Sequence, residues 1–284
     1  MFFKFILKSL RLLPFWILKG LSYLLGVFLF FIPNYYKSVS KINLKIAFPD
    51  KNENEINNLT FKSLVHSTRS LLETGNIWYK KNHKSLEVGG QDHIRSLLNK
   101  KSGAVLFTPH LGNIESIISF LGDNFNCFIP YTPSKNSSFE RVMLEARRGL
   151  GVTMVKANFS GIRKLYTALQ EGGVIAIASD QVPNKKNGII SNFFGQPALT
   201  MTLVSSLVNK AKCPCHLVYS LRGKGDNSYK IFFSEEMDFL QGLSHESFIN
   251  RMNRELENCI MNAPEQYSWE YKRYKHSGPV DPYK

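Results

Sequence analysis

The hydrophobic pattern divides the chain into an apolar N-terminal stretch and a longer region of alternating short segments. Residues 13–33 contain a single charge, Lys19, and match the ~20 apolar residues that a membrane-spanning helix needs. Basic residues on both sides leave the orientation of such a span open, and they equally suit a helix that lies on an anionic membrane surface. A buried helix of a soluble protein is the third alternative. We predict a membrane anchor over residues 1–36, followed by a single domain over residues 37–284.

From residue 103 onward, short apolar runs alternate with segments whose apolar residues recur at helical spacing. This alternation is typical of an α/β fold, in which helices cover a largely parallel sheet. Ligands bind beyond the carboxyl ends of such strands, so His110, the segment 133–135 and Asp180 are predicted to converge at one edge. The predicted strands are 103–108, 126–132, 152–155, 173–179, 215–221 and 229–234. One helix is predicted to begin near residue 113, and four others to cover 138–148, 160–170, 199–210 and 245–262.

The segment from Thr108 to Glu115 is the strongest candidate for chemistry, because it places a histidine and a glutamate five positions apart after a predicted strand. On one continuous helix these side chains would point away from each other. The pair therefore requires His110 to lie in a turn and Asn113 to cap the following helix. Glu115 could then hold one imidazole nitrogen and leave the other as a general base. The alternative is a helix-capping carboxylate beside an incidental exposed histidine.

Three further segments each have a functional and an ordinary interpretation. Asp180–Gln181 could bind a hydroxyl or an arginine, or could be simple turn chemistry after a strand. Phe193–Gly195 suits the wall of an apolar groove, or core packing, and Thr200 could cap the next helix. Arg147–Arg148 could bind a phosphate or a carbonyl group, or could only complement the helix C-terminus.

Composition and motif content limit the kinds of partner and reaction that the protein can have. The 36 Lys and Arg residues exceed the 22 Asp and Glu residues, giving a net charge of +14. This charge favours anionic partners such as nucleic acid, acidic lipid headgroups or an acidic carrier protein. The segment Trp269–His276 interleaves aromatic and basic residues, as single-stranded nucleic-acid sites and lipid interfaces both do. The four cysteines lack zinc-site spacing, and nucleotide-binding and serine-nucleophile motifs are missing from the sequence. A general base acting on a substrate hydroxyl is therefore favoured over a Ser or Cys nucleophile.

Five segments, in the same order along the chain, resemble the late acyltransferases of lipid A biosynthesis, the lauroyl/myristoyl type of the H-x4-D/E acyltransferase superfamily. Ile114 stands where the family commonly has Trp, and the chain is somewhat short for the family. The segments that carry the resemblance are Asn43–Asp50, His110–Glu115, Arg147–Gly149, Asp180–Thr200 and Ala263–Arg273.

The resemblance implies transfer of a fatty acyl group from acyl carrier protein or coenzyme A to a hydroxyl of a lipid A precursor. His110 would deprotonate the hydroxyl and Glu115 would orient the imidazole. Backbone N–H groups or Arg148 would stabilise the oxyanion, and Asp180 would support the site or the arginine. The residues expected to bind substrate are Asn113, Arg147, Gln181, Phe193, Phe194 and Gly195.

The resemblance also implies a location and partners. We expect a monomer at the bacterial inner membrane, with its catalytic domain facing the cytoplasm and an anionic glycolipid as acceptor. No metal, cofactor or nucleic acid is expected. One alternative is an acyltransferase for another acceptor, a lysophospholipid or a glycolipid, because the same fold serves several lipids. A membrane-tethered nucleic-acid-binding module and a scaffolding protein are the alternatives from other classes.

Overall fold

The structure is a computed structural model that describes residues 2–80, 86–90, 92–93, 103–134, 136–223, 228–278 and 281–284. Its helices are α1 (Phe2–Leu10), α2 (Phe15–Phe31), α3 (Tyr35–Ala47), α4 (Glu53–Lys80), α5 (Ile114–Asn124), α6 (Ser137–Gly149), α7 (Phe159–Gln170), α8 (Leu203–Ala211) and α9 (His245–Met261). Its strands are β1 (Leu86–Gly89), β2 (Ala104–Thr108), β3 (Cys127–Tyr131), β4 (Thr153–Lys156), β5 (Val174–Ala178), β6 (Gly188–Phe193), β7 (Gln196–Met201), β8 (Cys215–Arg222) and β9 (Tyr229–Phe233).

The central sheet has the strand order β1-β9-β8-β2-β5-β3-β4. The five strands from β8 to β4 run parallel to one another, whereas β9 is antiparallel to β8 and carries β1 beside it. The predicted α/β class with a largely parallel sheet is therefore confirmed.

Helices cover both faces of the sheet, which explains why its central strands are continuous apolar runs rather than alternating ones. All five residues of β2 are buried. Val105 and Phe107 pack on the face that also contains Leu165 of α7. Leu106, between them, packs on the opposite face with Ile117 of α5.

The region 182–201 differs from the prediction. A loop to residue 192 and a helix from residue 199 were expected, but β6 and β7 form an antiparallel hairpin and α8 begins only at Leu203. Phe194 and Gly195 form its two-residue turn with φ angles of 50° and 71°, the left-handed values that tight hairpins require. Thr200 consequently lies in β7 and does not cap a helix.

The apolar N-terminus forms α1, α2 and α3. Among the described residues, no helix is by itself long and apolar enough to cross a bilayer; α2 and α3 satisfy that criterion only as a pair, with an 81° bend between them. Phe5, Trp16 and Phe31 nevertheless expose 71%, 69% and 75% of their surface. The membrane anchor over 1–36 stays a prediction.

The aromatic and basic C-terminal segment is largely built into the protein. Trp269 and Arg273 are only 1% and 2% exposed. The Arg273 guanidinium donates hydrogen bonds to the Leu199 carbonyl and to the Thr200 hydroxyl, at 2.8 and 2.7 Å. Because the Trp269 and Arg273 side chains are buried in the core, neither can stack on nucleic-acid bases.

Candidate functional site

The carboxyl ends of β2 and β5 bring a histidine and an aspartate together. The two strands are neighbours, with Thr108 paired to Ala178, so His110 and Asp180 lie at equivalent positions two residues further on. His110 Nδ1 lies 2.8 Å from one Asp180 carboxylate oxygen, and the His110 backbone N–H donates to the other oxygen at 2.8 Å. Asp180 is only 2% exposed. Both carboxylate oxygens therefore fix the position of His110, as convergence at one sheet edge predicts.

The turn between β2 and α5 has the shape that the sequence requires. Gly112 has φ +67°, and a Cβ there would lie 2.0 Å from the Ser220 carbonyl oxygen, so a larger residue would be excluded. The Asn113 side chain accepts a hydrogen bond from the Glu115 backbone N–H at 3.1 Å and caps α5. His110 thus lies in the turn before the helix, and Asn113 acts as the cap.

Glu115 does not occupy the predicted place beside His110. Its carboxylate accepts hydrogen bonds from Trp78 Nε1 and from an Arg147 Nη2, each at 2.6 Å. Trp78 belongs to α4 and Arg147 to α6, so these two helices hold the Glu115 carboxylate. The predicted His110–Glu115 contact is therefore corrected: the carboxylate that holds the imidazole is Asp180.

The structure also distinguishes the two neighbouring arginines of α6. Arg147 is 15% exposed, pairs with Glu115 and reaches the cavity beside His110. Arg148 is exposed, because adjacent residues on an α-helix are about 100° apart. Of the two arginines, Arg147 lines the cavity beside His110. The catalytic role expected of Arg148 stays a prediction.

Two cavities meet at His110. The first has a volume of about 320 Å³ and a mainly apolar lining that includes Ile114, Ile118 and Leu121. The second, of about 350 Å³, is lined by residues whose side chains each carry a polar group, and we call it the polar cavity on that ground. His110 and Gln181 line both cavities, and Gln181 Nε2 lies 3.3 Å from His110 Nε2. The residues of the polar cavity are Tyr35, His110, Asp180, Gln181, Ser268, Glu270 and Tyr271.

Electrostatics favour a charged or strongly polarised histidine–aspartate pair. Burial by itself would lower the pKa of His110, but the charge and hydrogen bond of Asp180 outweigh it and raise that pKa. Burial would likewise raise the pKa of Asp180, but the charge and hydrogen bonds of His110 lower it. Asp180 therefore stays ionised and makes the imidazole a stronger base. Within the described part of the chain, no three His, Cys, Asp or Glu side chains cluster as a metal site would require.

The predicted binding residues Phe193, Phe194 and Gly195 belong to the β6–β7 hairpin. Phe193 is fully buried, and its ring contacts the Phe194 ring with centroids 5.0 Å apart. Gly195 completes the hairpin turn. Phe193 and Phe194 thus pack in the protein core, which is the alternative interpretation of the 193–195 segment. Pro133 and Ser134 follow β3, and Lys135 lies outside the described residues.

The polar cavity was not predicted from the sequence. The segment after α9 supplies it: Leu111 pairs with Tyr267 in a β-bridge, and the Ser268 N–H donates to the His110 carbonyl at 3.0 Å. Two residues later, Glu270 enters the cavity. The similarity of 263–273 to a family signature marked this segment, but its pairing with the histidine turn is a tertiary contact without a local sequence pattern.

An α/β sheet that presents a carboxylate-held histidine between an apolar and a polar cavity suits acyl transfer to a hydroxyl. Comparison with known proteins gives the same class. The family model described as bacterial lipid A biosynthesis acyltransferase matches residues 1–276, and the chain belongs to this family of transferase enzymes.

Characterised relatives are similar over most of the chain. A lipid A biosynthesis palmitoleoyltransferase of Escherichia coli K12 is 24% identical over 243 residues, which cover 84% of this chain and 78% of the relative. A lauroyltransferase of the same organism is 25% identical, covering 82% and 77% of the two chains. A myristoyltransferase is 21% identical, covering 86% and 77%.

Proposed function

We propose that this protein transfers a fatty acyl group from a thioester donor to a hydroxyl of a lipid A precursor in lipopolysaccharide biosynthesis. The observation that carries the proposal is His110, whose Nδ1 is held by Asp180 and whose Nε2 faces the junction of the two cavities. The names of the relatives support acyl chains as the transferred group. Acyl carrier protein and coenzyme A both present the acyl group as a thioester and are both retained as donors.

The apolar cavity is assigned to the acyl chain of the donor. Its volume of about 320 Å³ is in the range of small-molecule pockets, ~300–1,000 Å³. Ile114, Ile117 and Leu121 supply a hydrocarbon lining at one side of His110. Arg147 adds a positive charge to this wall and is held there by Glu115. We assign Arg147 to the thioester oxygen, where negative charge develops during the reaction.

The reaction follows from the position of His110. Nε2 accepts the proton of the acceptor hydroxyl as its oxygen attacks the thioester carbonyl carbon. Collapse of the tetrahedral intermediate breaks the C–S bond, and the thiolate takes up the proton from the imidazolium. Asp180 stabilises the imidazolium between these steps. Gln181 must release Nε2 first, because its amide lies 3.3 Å from that atom.

The N-terminal helices are assigned to membrane attachment. Every charged side chain before Asp50 is basic, and exposed aromatic residues such as Phe5 and Trp16 accompany these bases. Such a surface suits anionic lipid headgroups. We propose attachment to the inner membrane, with the catalytic domain on the cytoplasmic side, where an anionic glycolipid acceptor and a thioester donor both reach His110.

The proposal is tested by acyl transfer with detergent-solubilised protein, acyl carrier protein thioesters or acyl-coenzyme A, and a Kdo-bearing lipid A precursor. Mass spectrometry of the lipid product should show one added acyl chain. His110→Ala should reduce the rate at least ~100-fold, as expected for loss of a general base. Transfer to a lysophospholipid but not to the lipid A precursor would refute the acceptor assignment. Full activity of His110→Ala would refute the mechanism.

A further inference from the structure

The polar cavity contains a carboxyl group that the proposed reaction does not use. Besides the catalytic pair, its lining offers hydroxyl, amide and carboxyl groups, and the described residues that form it include no Lys or Arg. Glu270 is one of them. An anionic group entering here would meet two carboxyl groups, Glu270 and Asp180, against a single imidazole, His110. The cavity is therefore suited to uncharged hydrogen-bond donors.

Glu270 is held at a fixed position relative to His110. The chain just before it is tied to the histidine turn by the Ser268 N–H, which donates to the His110 carbonyl at 3.0 Å. On the opposite side, the Ser67 hydroxyl of α4 donates to a Glu270 carboxyl oxygen at 3.0 Å. The backbone N–H of Glu270 also hydrogen-bonds to this carboxyl group. A carboxylate has about four acceptor positions, so these two donors leave it able to accept from a ligand.

Burial also sets Glu270 apart from a surface charge. The side chain is half-buried between α4 and the C-terminal segment, and burial raises its pKa. No arginine or lysine among the described residues forms an ion pair with Glu270, and a carboxyl group buried in this way costs free energy unless it makes hydrogen bonds. A ligand that donates a hydrogen bond to Glu270 would offset part of that cost.

We propose that Glu270 is an acceptor-binding residue, which accepts a hydrogen bond from an uncharged hydroxyl or amide N–H beside the reacting hydroxyl and disfavours an anionic group at that place. The inference rests on the proposed function and assigns the polar cavity to the acceptor. It separates acceptor classes: a 3-hydroxyacyl chain on a sugar amide presents such donors near its hydroxyl. A lysophospholipid presents its phosphate close to the reacting hydroxyl instead.

Steady-state kinetics give the first test. Glu270→Ala should raise KM for the lipid A precursor about tenfold, the effect of losing one hydrogen bond to a charged group. KM for the thioester donor should stay within about twofold of the wild-type value, because the donor occupies the other cavity. Glu270→Gln should recover part of the loss, since its amide oxygen still accepts. Glu171→Ala, an exposed carboxylate at the end of α7, is the matched control and should change neither constant.

Equilibrium binding without a donor gives a second test that does not depend on turnover. Isothermal titration would compare N-(3-hydroxydecanoyl)glucosamine with lysophosphatidic acid as probes. Wild type should bind the glucosamide more tightly than lysophosphatidic acid. Glu270→Ala should weaken binding of the glucosamide and strengthen binding of lysophosphatidic acid. The proposal is overturned if both affinities are unchanged in Glu270→Ala and Glu270→Gln. If binding responds to Glu270 but wild type transfers no acyl group, the proposed function fails while the subsite stands.

Discussion

The regions that follow the neighbouring strands β2 and β5 each provide a carboxylate, and the two carboxylates have different partners. After β5, Asp180 accepts hydrogen bonds from the ring and the backbone of His110. In the first turn of α5, Glu115 binds Trp78 and Arg147 instead, although it is closer to His110 in sequence. The pairing of β2 with β5 in register, rather than the H-x4-E spacing, determines which carboxylate reaches the imidazole.

The difference suggests a division of labour between the two carboxylates. Asp180 acts on the base, because it holds one imidazole nitrogen and raises the pKa of His110. Glu115 acts on the wall of the apolar cavity, because it fixes Arg147 there. Variants of each region should therefore change different properties of the enzyme.

The largest effect is expected for Asp180→Asn. The amide preserves size but removes the charge that stabilises the imidazolium and the oxygen pair that orients His110. We expect kcat to fall on the order of 10³–10⁴-fold, the upper figure being that for loss of the aspartate in a Ser-His-Asp triad. Product formation measured by mass spectrometry checks the fall. An unchanged melting temperature would show that the fold is kept, and kcat within tenfold of wild type would contradict the assigned role.

Arg147→Ala should have a smaller effect. It removes the cation assigned to the thioester oxygen and leaves the buried Glu115 carboxylate with Trp78 as its partner. We expect a loss of roughly 100-fold in kcat, the lower end of the range for loss of one oxyanion donor. Single-turnover kinetics with saturating donor would isolate this step. A variant with normal kcat and only a raised donor KM would show that Arg147 binds the donor but does not assist the chemistry.

Arg148→Ala should have the smallest effect, because Arg148 is exposed, about 100° around α6 from Arg147. We expect kcat and both KM values to stay within about twofold of wild type, as is usual for surface substitutions. The same assay provides the comparison with Arg147→Ala. If Arg148→Ala were the more damaging of the two, the orientation of α6 toward the cavity described above would be contradicted.

Much of the fold could be predicted from the sequence because its signals are local. The buried runs of β2 and β5 read as strands, and the helical spacing of apolar residues located α7 within one or two residues. The hairpin of β6 and β7 could not be found this way. Its turn uses Phe194 at positive φ, where Gly or Asn is usual, so the typical turn signal is missing.

The candidate site was predicted in part for the same reason. Convergence of His110 and Asp180 follows from the rule that parallel strands end at one edge, and the cap at Asn113 follows from local capping chemistry. Which carboxylate binds the imidazole, and which arginine faces the cavity, depend on side-chain directions in the assembled sheet. The position of Glu270 depends on a contact between residues more than 150 positions apart in sequence.

The central claim, that Asp180 holds and activates His110, is tested most directly by the pH dependence of kcat/KM in wild type, Asp180→Asn and Glu115→Gln. His110 works as a base in its neutral form, so activity rises as pH passes through its pKa, which Asp180 raises above the usual ~6.5. Without the Asp180 charge, the acid limb should shift to lower pH, whereas Glu115→Gln should leave it where wild type has it. If the acid limb of the pH profile shifted in Glu115→Gln but not in Asp180→Asn, the account would be contradicted, and Glu115 would be the carboxylate that acts on His110.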